Sequence, residues 1–329
     1  MSNERFLVTG AMGCIGAWVI RNLLYDGVTT AAFDLGTDRQ RLELILQQDE
    51  INQIEFITGD ISDLHGIFST FEKFQPTHVI HLAALQLPFC RANPPLGALV
   101  NVVGTVNIFE AVKKYHIDSL VYASTAAVYG TSEEYETSII SDDTLLKPRS
   151  HYGVYKQANE GTARVYWLDD RVPTIGLRPY TVFGPGRDQG MTSTPTKAML
   201  AAVVGLPYKI SFGGRCVFQY ANDVGKVFIL AARNVRSGAD VFNIGGPSVS
   251  VPDVIQAIED YIPSMRGKIT FEDNPLPFPP DMDNSNLVRL LGPLPFTPLQ
   301  QAVAETIETL RAAIQNKMLS HERVEQILR

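Results

Sequence analysis

Residues 6–16 constrain this chain more than any other stretch. An apolar run, Phe6-Leu7-Val8, passes into Thr9-Gly10-Ala11-Met12-Gly13-Cys14-Ile15-Gly16, and an apolar helical pattern, Ala17-Trp18-Val19-Ile20-Arg21-Asn22-Leu23-Leu24, follows at once. Strand, glycine-punctuated turn and helix in that order make a cradle for an anion. Gly10, Gly13 and Gly16 let the backbone turn sharply and come close to a ligand, and a helix N-terminus offers unpaired N–H groups and partial positive charge. Met12, Cys14 and Ile15 fill the turn between them. The spacing is Gly-x-x-Gly-x-x-Gly, not the commoner Gly-x-Gly-x-x-Gly. A turn of this kind also joins a strand to a helix with no ligand at all, so the rest of the chain decides.

Short β-rich runs alternate with helical patterns through the first half, which predicts an α/β fold: a doubly wound parallel sheet of the Rossmann type. Strands are expected at 5–8, 30–33, 54–58, 78–82, 119–123 and 174–177, and helices at 14–25, 39–48, 64–74, 94–115 and 152–168. After Arg178 the rhythm changes at Pro179 and Gly184-Pro185-Gly186. A long loop, a helix at 196–204, a strand at 241–244, proline-dense ordered coil over 274–298 and an amphipathic helix at 299–316 follow. This predicts a dinucleotide-binding domain over 1–180, to which 222–246 returns. A smaller C-terminal α/β substrate-binding lobe takes 181–221 and 247–329.

Bulk properties exclude several function classes. The formal charge of −7 argues against a nucleic-acid partner. Cys14, Cys90 and Cys216 are too scattered for a disulfide framework or a metal site, and the histidines have no metal-ligand spacing. Residues 1–5 lack the apolar region of a signal peptide, and no run of about 18 apolar residues occurs. A cytoplasmic protein with no membrane association is expected.

Asp34 ends the second predicted strand. A carboxylate there accepts both ribose hydroxyls of an adenosine and repels a 2′-phosphate, and Leu35-Gly36 follow with no arginine, which favours NAD over NADP. Asp60, before Ile61, ends the third strand; it suits an adenine edge or a capped turn equally well. Leu82-Ala83-Ala84 ends the fourth, where small residues admit a cofactor or a packed helix. Tyr152 and Lys156 stand one helical turn apart and share a face. A phenol is a poor base at neutral pH, and a neighbouring ammonium lowers its pKa, which makes Tyr152 a usable acid/base for a carbinol proton. Tyr155 lacks such a partner, since Asn159 stands four residues on. Ser124 and Thr125 follow a predicted strand at the edge where doubly wound sheets bind ligands; Thr125 can bond the reacting oxygen, or both hydroxyls can cap a turn.

The ordered set Thr9–Gly16, Asp34, Asp60-Ile61, Leu82-Ala83-Ala84, Asn101, Ser124-Thr125 and Tyr152-x-x-x-Lys156 resembles the extended short-chain dehydrogenase/reductase superfamily, within it the NAD-dependent sugar epimerase/dehydratase group. Residues 177–187, 219–224 and 242–246 extend the likeness over nearly the whole chain. The resemblance implies that the three glycines line a pyrophosphate, Asp34 a ribose and Asp60-Ile61 an adenine. It implies Thr125, Tyr152 and Lys156 as a catalytic triad, Ser124 beside the nicotinamide, Asn101 holding the active-site helix and a water relay, and Pro179 among the cofactor contacts. Homodimerisation is a family-level expectation.

The departures lie on the substrate side, where Thr181, Arg187 and Arg215 are the candidate contacts. Thr181 stands where nucleotide-sugar members carry Asn. Cys216 stands where an Arg is usual, with Arg215 beside it, and residues 277–283 replace an expected Arg-bearing loop. A diphosphate needs cationic or donor-rich partners, so these changes point away from UDP- or dTDP-linked sugars. Ala126-Ala127 after Thr125 disfavours the related dehydration. Two enzymatic readings stand: oxidation of a sugar carbinol followed by hydride return, as in an epimerase, or a dehydrogenase of a small sugar, sugar acid or hydroxy compound that releases NADH. A catalytically idle NAD-binding protein would be expected to lack Tyr152 or Lys156, and both are present.

Overall fold

The computed structural model describes residues 4–329; residues 1–3, part of the segment read for a leader, lie outside it. Seven parallel strands form the main sheet: β1 (Arg5–Thr9), β2 (Thr29–Asp34), β3 (Glu55–Thr58), β4 (His78–His81), β5 (Leu120–Ala123), β6 (Thr174–Arg178) and β7 (Ala239–Asn243). Their spatial order is β7-β6-β5-β4-β1-β2-β3. From β1 the chain winds outward to β3, then crosses back to β4 on the other flank of β1. The crevice at the carboxyl ends of β1 and β4 is therefore the switch point at which such sheets bind ligands.

The inner strands are buried along most of their length because helices cover both faces, whereas the edge strands β3 and β7 carry exposed Glu55 and Asp240. On one face α1 (Cys14–Tyr25) packs with Ala221–Asn234 over Val8, Ala32, Ile80 and Val121. A Cβ at Gly225 would lie 3.1 Å from the Trp18 and Val19 backbone, so glycine permits that close crossing. On the other face α2 (Leu64–Phe74), α3 (Pro94–Lys114) and α4 (His151–Asp170) cover Leu7, Phe33, Val79 and Tyr122. Midway along α3 the helix widens into a π turn at Leu99–Val103. α4 starts where Ser150 Oγ accepts the Gly153 N–H at 3.1 Å.

A second hydrophobic core lies beyond β6. It is built around a three-stranded sheet (Thr181–Phe183, Arg215–Tyr220, Ser248–Ser250) and the helices Thr194–Val203, Val251–Tyr261, Leu299–Gln315 and His321–Leu328. Several sequence expectations are corrected here. The helix expected at 39–48 is two short helices, Gln40–Glu43 and Gln48–Ile51, and the coil expected over 274–298 contains the strand Asp281–Met282 and the helix Ser285–Leu291. The helices Val251–Tyr261 and His321–Leu328 escaped prediction; each starts at a serine cap, Ser250 and Ser320, that was readable in principle. One helical run does reach membrane-spanning length: Pro94–Lys114, 21 residues with hydropathy 1.4. Asn101, Thr105 and Asn107 are buried within it and it packs against α2 and α4, which marks the core helix of a folded sheet domain.

Candidate active site

A cleft of about 730 Å³ opens at the switch point and gathers most of the residues singled out above. Gly10, Met12, Gly13, Cys14, Ile15 and Gly16 line it with Asp34, Leu35, Asp60, Ile61, Leu82, Ala83, Ala84, Ser124, Thr125, Tyr152, Lys156, Pro179 and Arg187. Asn101, Thr181 and Arg215 do not line it.

The glycine turn fits a pyrophosphate. Gly10 takes φ +68°, and a Cβ there would lie 2.5 Å from the Ala83 nitrogen, while one on Gly16 would lie 2.4 Å from the Gly10 carbonyl oxygen. Only hydrogen at these positions lets the turn close, at Gly10 onto the segment after β4 and at Gly16 onto the turn's own start. The first turn of α1 has neither a side-chain cap nor an acidic residue, and Cys14, Ile15 and Gly16 of that turn line the cleft, which leaves the capping place open to an anion. Asp34 braces the same turn through Oδ2, which accepts the Met12 N–H at 2.9 Å, while its Oδ1 accepts the Gly36 N–H of its own loop at 3.0 Å. Asp60 Oδ1 accepts both the N–H and the hydroxyl of Ser62 at 2.8 Å, so its turn role is realised while it also borders the cleft.

On α4, the Lys156 ammonium is buried and donates to the Ala123 carbonyl at 2.7 Å. Burial lowers its pKa to about 8, against the opposing pull of Cys90 and Glu160. Its Nζ lies 5.9 Å from the centre of the Tyr152 ring. Burial raises the Tyr152 phenol; a hydrogen bond with Thr125 and the charge of Arg187 oppose that rise. This corrects the expectation of a phenol already lowered by Lys156: desolvation dominates, and the opposing groups are Thr125 and Arg187. Tyr155 is structural, donating to the Pro94 carbonyl at 2.9 Å.

Behind these residues stand two buried networks. Ser124 donates to Glu160 Oε1 at 2.5 Å, and Glu160 takes a bidentate pair from Arg178, whose Nε and Nη2 lie 2.8 and 2.7 Å away. In the second, the Thr9 hydroxyl donates to His81 Nδ1 at 2.7 Å, His81 Nε2–H to Thr105 Oγ1 at 3.0 Å, and the Thr105 hydroxyl to the Asn101 carbonyl at 2.7 Å. That direction requires neutral His81, and burial holds its pKa down at about 3. The π turn frees the Asn101 carbonyl, which also accepts Asn159 Nδ2 at 2.8 Å, while the Asn101 amide clamps both N–H and C=O of Leu85. Asn101 thus shapes the cleft from behind.

The facing wall comes from residues 180–192 and Phe278. Thr181 was expected there but sits between Tyr180 and Val182 on a strand, so its side chain takes the opposite face, where it accepts the Cys216 thiol. Arg215 is exposed at a strand end and donates to the Ser248 carbonyl. Arg187 remains: its Nη2 bonds Thr192 at 3.1 Å, and its buried Nε has no partner. Sequence reasoning missed Arg41, which pairs with Asp188 at 2.7 Å and donates to the Met12 carbonyl at 2.8 Å. It also missed Gln86 and Tyr180, which adjoin predicted cleft residues, and Phe278 and Arg323, which reach the cleft from distant segments without a local motif.

A model of the NAD dependent epimerase/dehydratase family matches residues 6–245. The UDP-glucose 4-epimerase of Mycolicibacterium smegmatis is 31% identical over 327 residues, covering 93% of this chain and 98% of that protein. Among solved structures, the Thermus thermophilus UDP-glucose 4-epimerase in complex with NAD is similar with TM-score 0.79 and 26% identity, covering 94% of this chain and all of that one. A partial consensus L-threonine 3-dehydrogenase shares the fold, with TM-score 0.82 at 20% identity and 94% of this chain covered.

Proposed function

The chain belongs to the NAD dependent epimerase/dehydratase family, and on that premise we propose that it oxidises a secondary hydroxyl of a sugar or sugar-derived substrate and returns the hydride, as an epimerase does. The observation that carries this reading is the joint presence, in one cleft, of the glycine turn, Asp34 and the set Thr125, Tyr152 and Lys156. NAD, when bound, supplies the hydride acceptor and then the hydride donor. Gly10, Gly13 and Gly16 with the α1 N-terminus hold its pyrophosphate, and Asp34 its adenosine ribose. Tyr152 takes the hydroxyl proton of the substrate and gives it back, while Thr125 bonds the same oxygen. The Thr125 hydrogen bond and the Arg187 charge favour the phenolate, and the Lys156 ammonium bonds the nicotinamide ribose.

Arg187 is the proposed anion contact on the substrate side. With Thr181 and Arg215 turned away, this favours a substrate with a small anionic or polar group over one with a diphosphate. The same observation keeps a second reading in play, a dehydrogenase of a small sugar acid or hydroxy compound. Purified protein incubated with NAD and a panel of UDP-sugars, free sugars and sugar acids separates the two. Conversion of the sugar with no accumulating NADH is expected; NADH formed in step with product would replace the epimerase reading with the dehydrogenase.

The proposed division of labour gives cofactor binding to residues 1–180 with 222–246, and substrate binding to 181–221 and 247–329. Homodimerisation is supported by apolar side chains exposed on two adjacent helices: Leu99 and Val103 on α3, Val154, Val165 and Leu168 on α4. Three unpaired cysteines suit the reducing cytoplasm.

A further inference from the structure

The last helix, His321–Leu328, belongs by its packing to the second core: Val324 is buried there, and Ile327 and Leu328 pack against it. One side chain breaks that pattern. Arg323 reaches across the seam to the rim of the cleft, where it joins Asp34, Gly36 and Asp38 in the lining; beyond Phe278 no other residue of the chain does so among the described residues. Its Nε donates to Gln40 Oε1 at 2.7 Å, Nη1 stands 3.4 Å from Gln326 Oε1, and Nη2 stands 3.5 Å from Asp38 Oδ2.

As a staple between two parts of the fold this arrangement is weak. The Asp38 side chain is 68% exposed and its ion pair is long, so the pair contributes little to stability. One short hydrogen bond holds the guanidinium, and its two outer nitrogens make only long contacts. A guanidinium offers planar stacking and several in-plane donors. Asp38 and Gln40 stand four and six residues after Asp34, the proposed ribose contact, and line the same cleft, so these donors stand at its adenosine end.

We propose that Arg323 is a cofactor-binding residue that contacts the adenosine half of NAD, which makes the C-terminal helix a clasp over that end of the site. The proposal rests on the reading of the cleft as an NAD site. It links the second core directly to cofactor retention, because NAD that bonds Arg323 also holds the helix down. Retention is what an oxidation followed by hydride return requires.

Equilibrium titrations of wild type, Arg323→Ala and Arg323→Lys with NAD, ADP-ribose and nicotinamide mononucleotide, read by calorimetry, test the clasp. Arg323→Ala is expected to weaken NAD and ADP-ribose by a common factor of about tenfold, the scale of one charge-assisted hydrogen bond, and to leave nicotinamide mononucleotide unchanged. Arg323→Lys should recover part of the loss. NAD should also leave the Arg323→Ala protein faster after dilution. Unchanged NAD and ADP-ribose affinities would overturn the proposal, as would equal weakening of all three ligands. Thermal midpoints of the ligand-free proteins identify a variant that has merely lost its fold; in that event Arg323→Lys alone decides, and NAD affinity equal to wild type would refute the contact. Failure of wild type itself to bind NAD would instead remove the cofactor reading on which the clasp rests.

Discussion

The two walls of the cleft are built by different means. The cofactor wall is mostly main chain: strand ends whose positions follow from sheet register, a turn closed by glycines, and one carboxylate, Asp34, that ties that turn through Oδ2 and its own following residues through Oδ1. The facing wall is mostly side chain, carried on a segment in which Gly184, Gly186 and Gly190 all take positive φ. Such a wall changes its lining by substitution without disturbing the sheet. The difference separates what the family shares, dependence on NAD, from what sets an individual member's substrate.

The largest expected effect lies where the walls meet. Tyr152→Phe should reduce turnover by about 10²–10⁴-fold while NAD affinity stays close to wild type; steady-state rates and an NAD titration together check it, and near-normal turnover would remove Tyr152 as the acid/base. A smaller effect starts from the facing wall. Arg187→Ala should raise the substrate KM by about 10–100-fold, the scale of a lost charged hydrogen bond, without altering NAD affinity. A matching loss of NAD binding would erase the distinction between the walls.

The smallest effect probes the fixed wall. Folded His81 has its pKa lowered to about 3, so between about pH 6.5 and 3 the unfolded chain binds a proton that the folded chain refuses. Its contribution is complete above about pH 6.5 and is lost as pH falls. Urea unfolding should show roughly 1–2 kcal/mol less stability at pH 5 than at pH 7 from this group, and His81→Asn should flatten that difference. An unchanged pH dependence in the variant would assign the loss to other groups.

The cofactor wall was legible because its determinants are local. A glycine turn between strand and helix, an acid at a strand end and Tyr152-x-x-x-Lys156 each fall within a few residues, and periodicity alone supplies the sheet. The facing wall was not, for two physical reasons. Strand alternation decides whether Thr181 or its neighbours Tyr180 and Val182 meet the cleft, and the phase of so short a strand is set by its pairing with Arg215–Tyr220. Arg41 meets Asp188, and Arg323 meets Gln40, across the seam between distant parts of the chain; no spacing rule reports such pairs. The rise of the Tyr152 pKa was hidden for a related reason, since burial is a property of the assembled cleft.

The Ser124–Glu160–Arg178 triplet has a consequence for anyone who would redesign the enzyme. Glu160 and Arg178 are almost wholly withdrawn from water and satisfy each other, so removing either strands an opposite charge, a loss on the order of 3–5 kcal/mol. The floor of the cleft behind Ser124 is therefore inherited as a unit. A library that varies residues 180–192 one at a time searches freely, whereas one aimed at this floor must exchange charge partners together or lose the protein before it learns anything about the reaction.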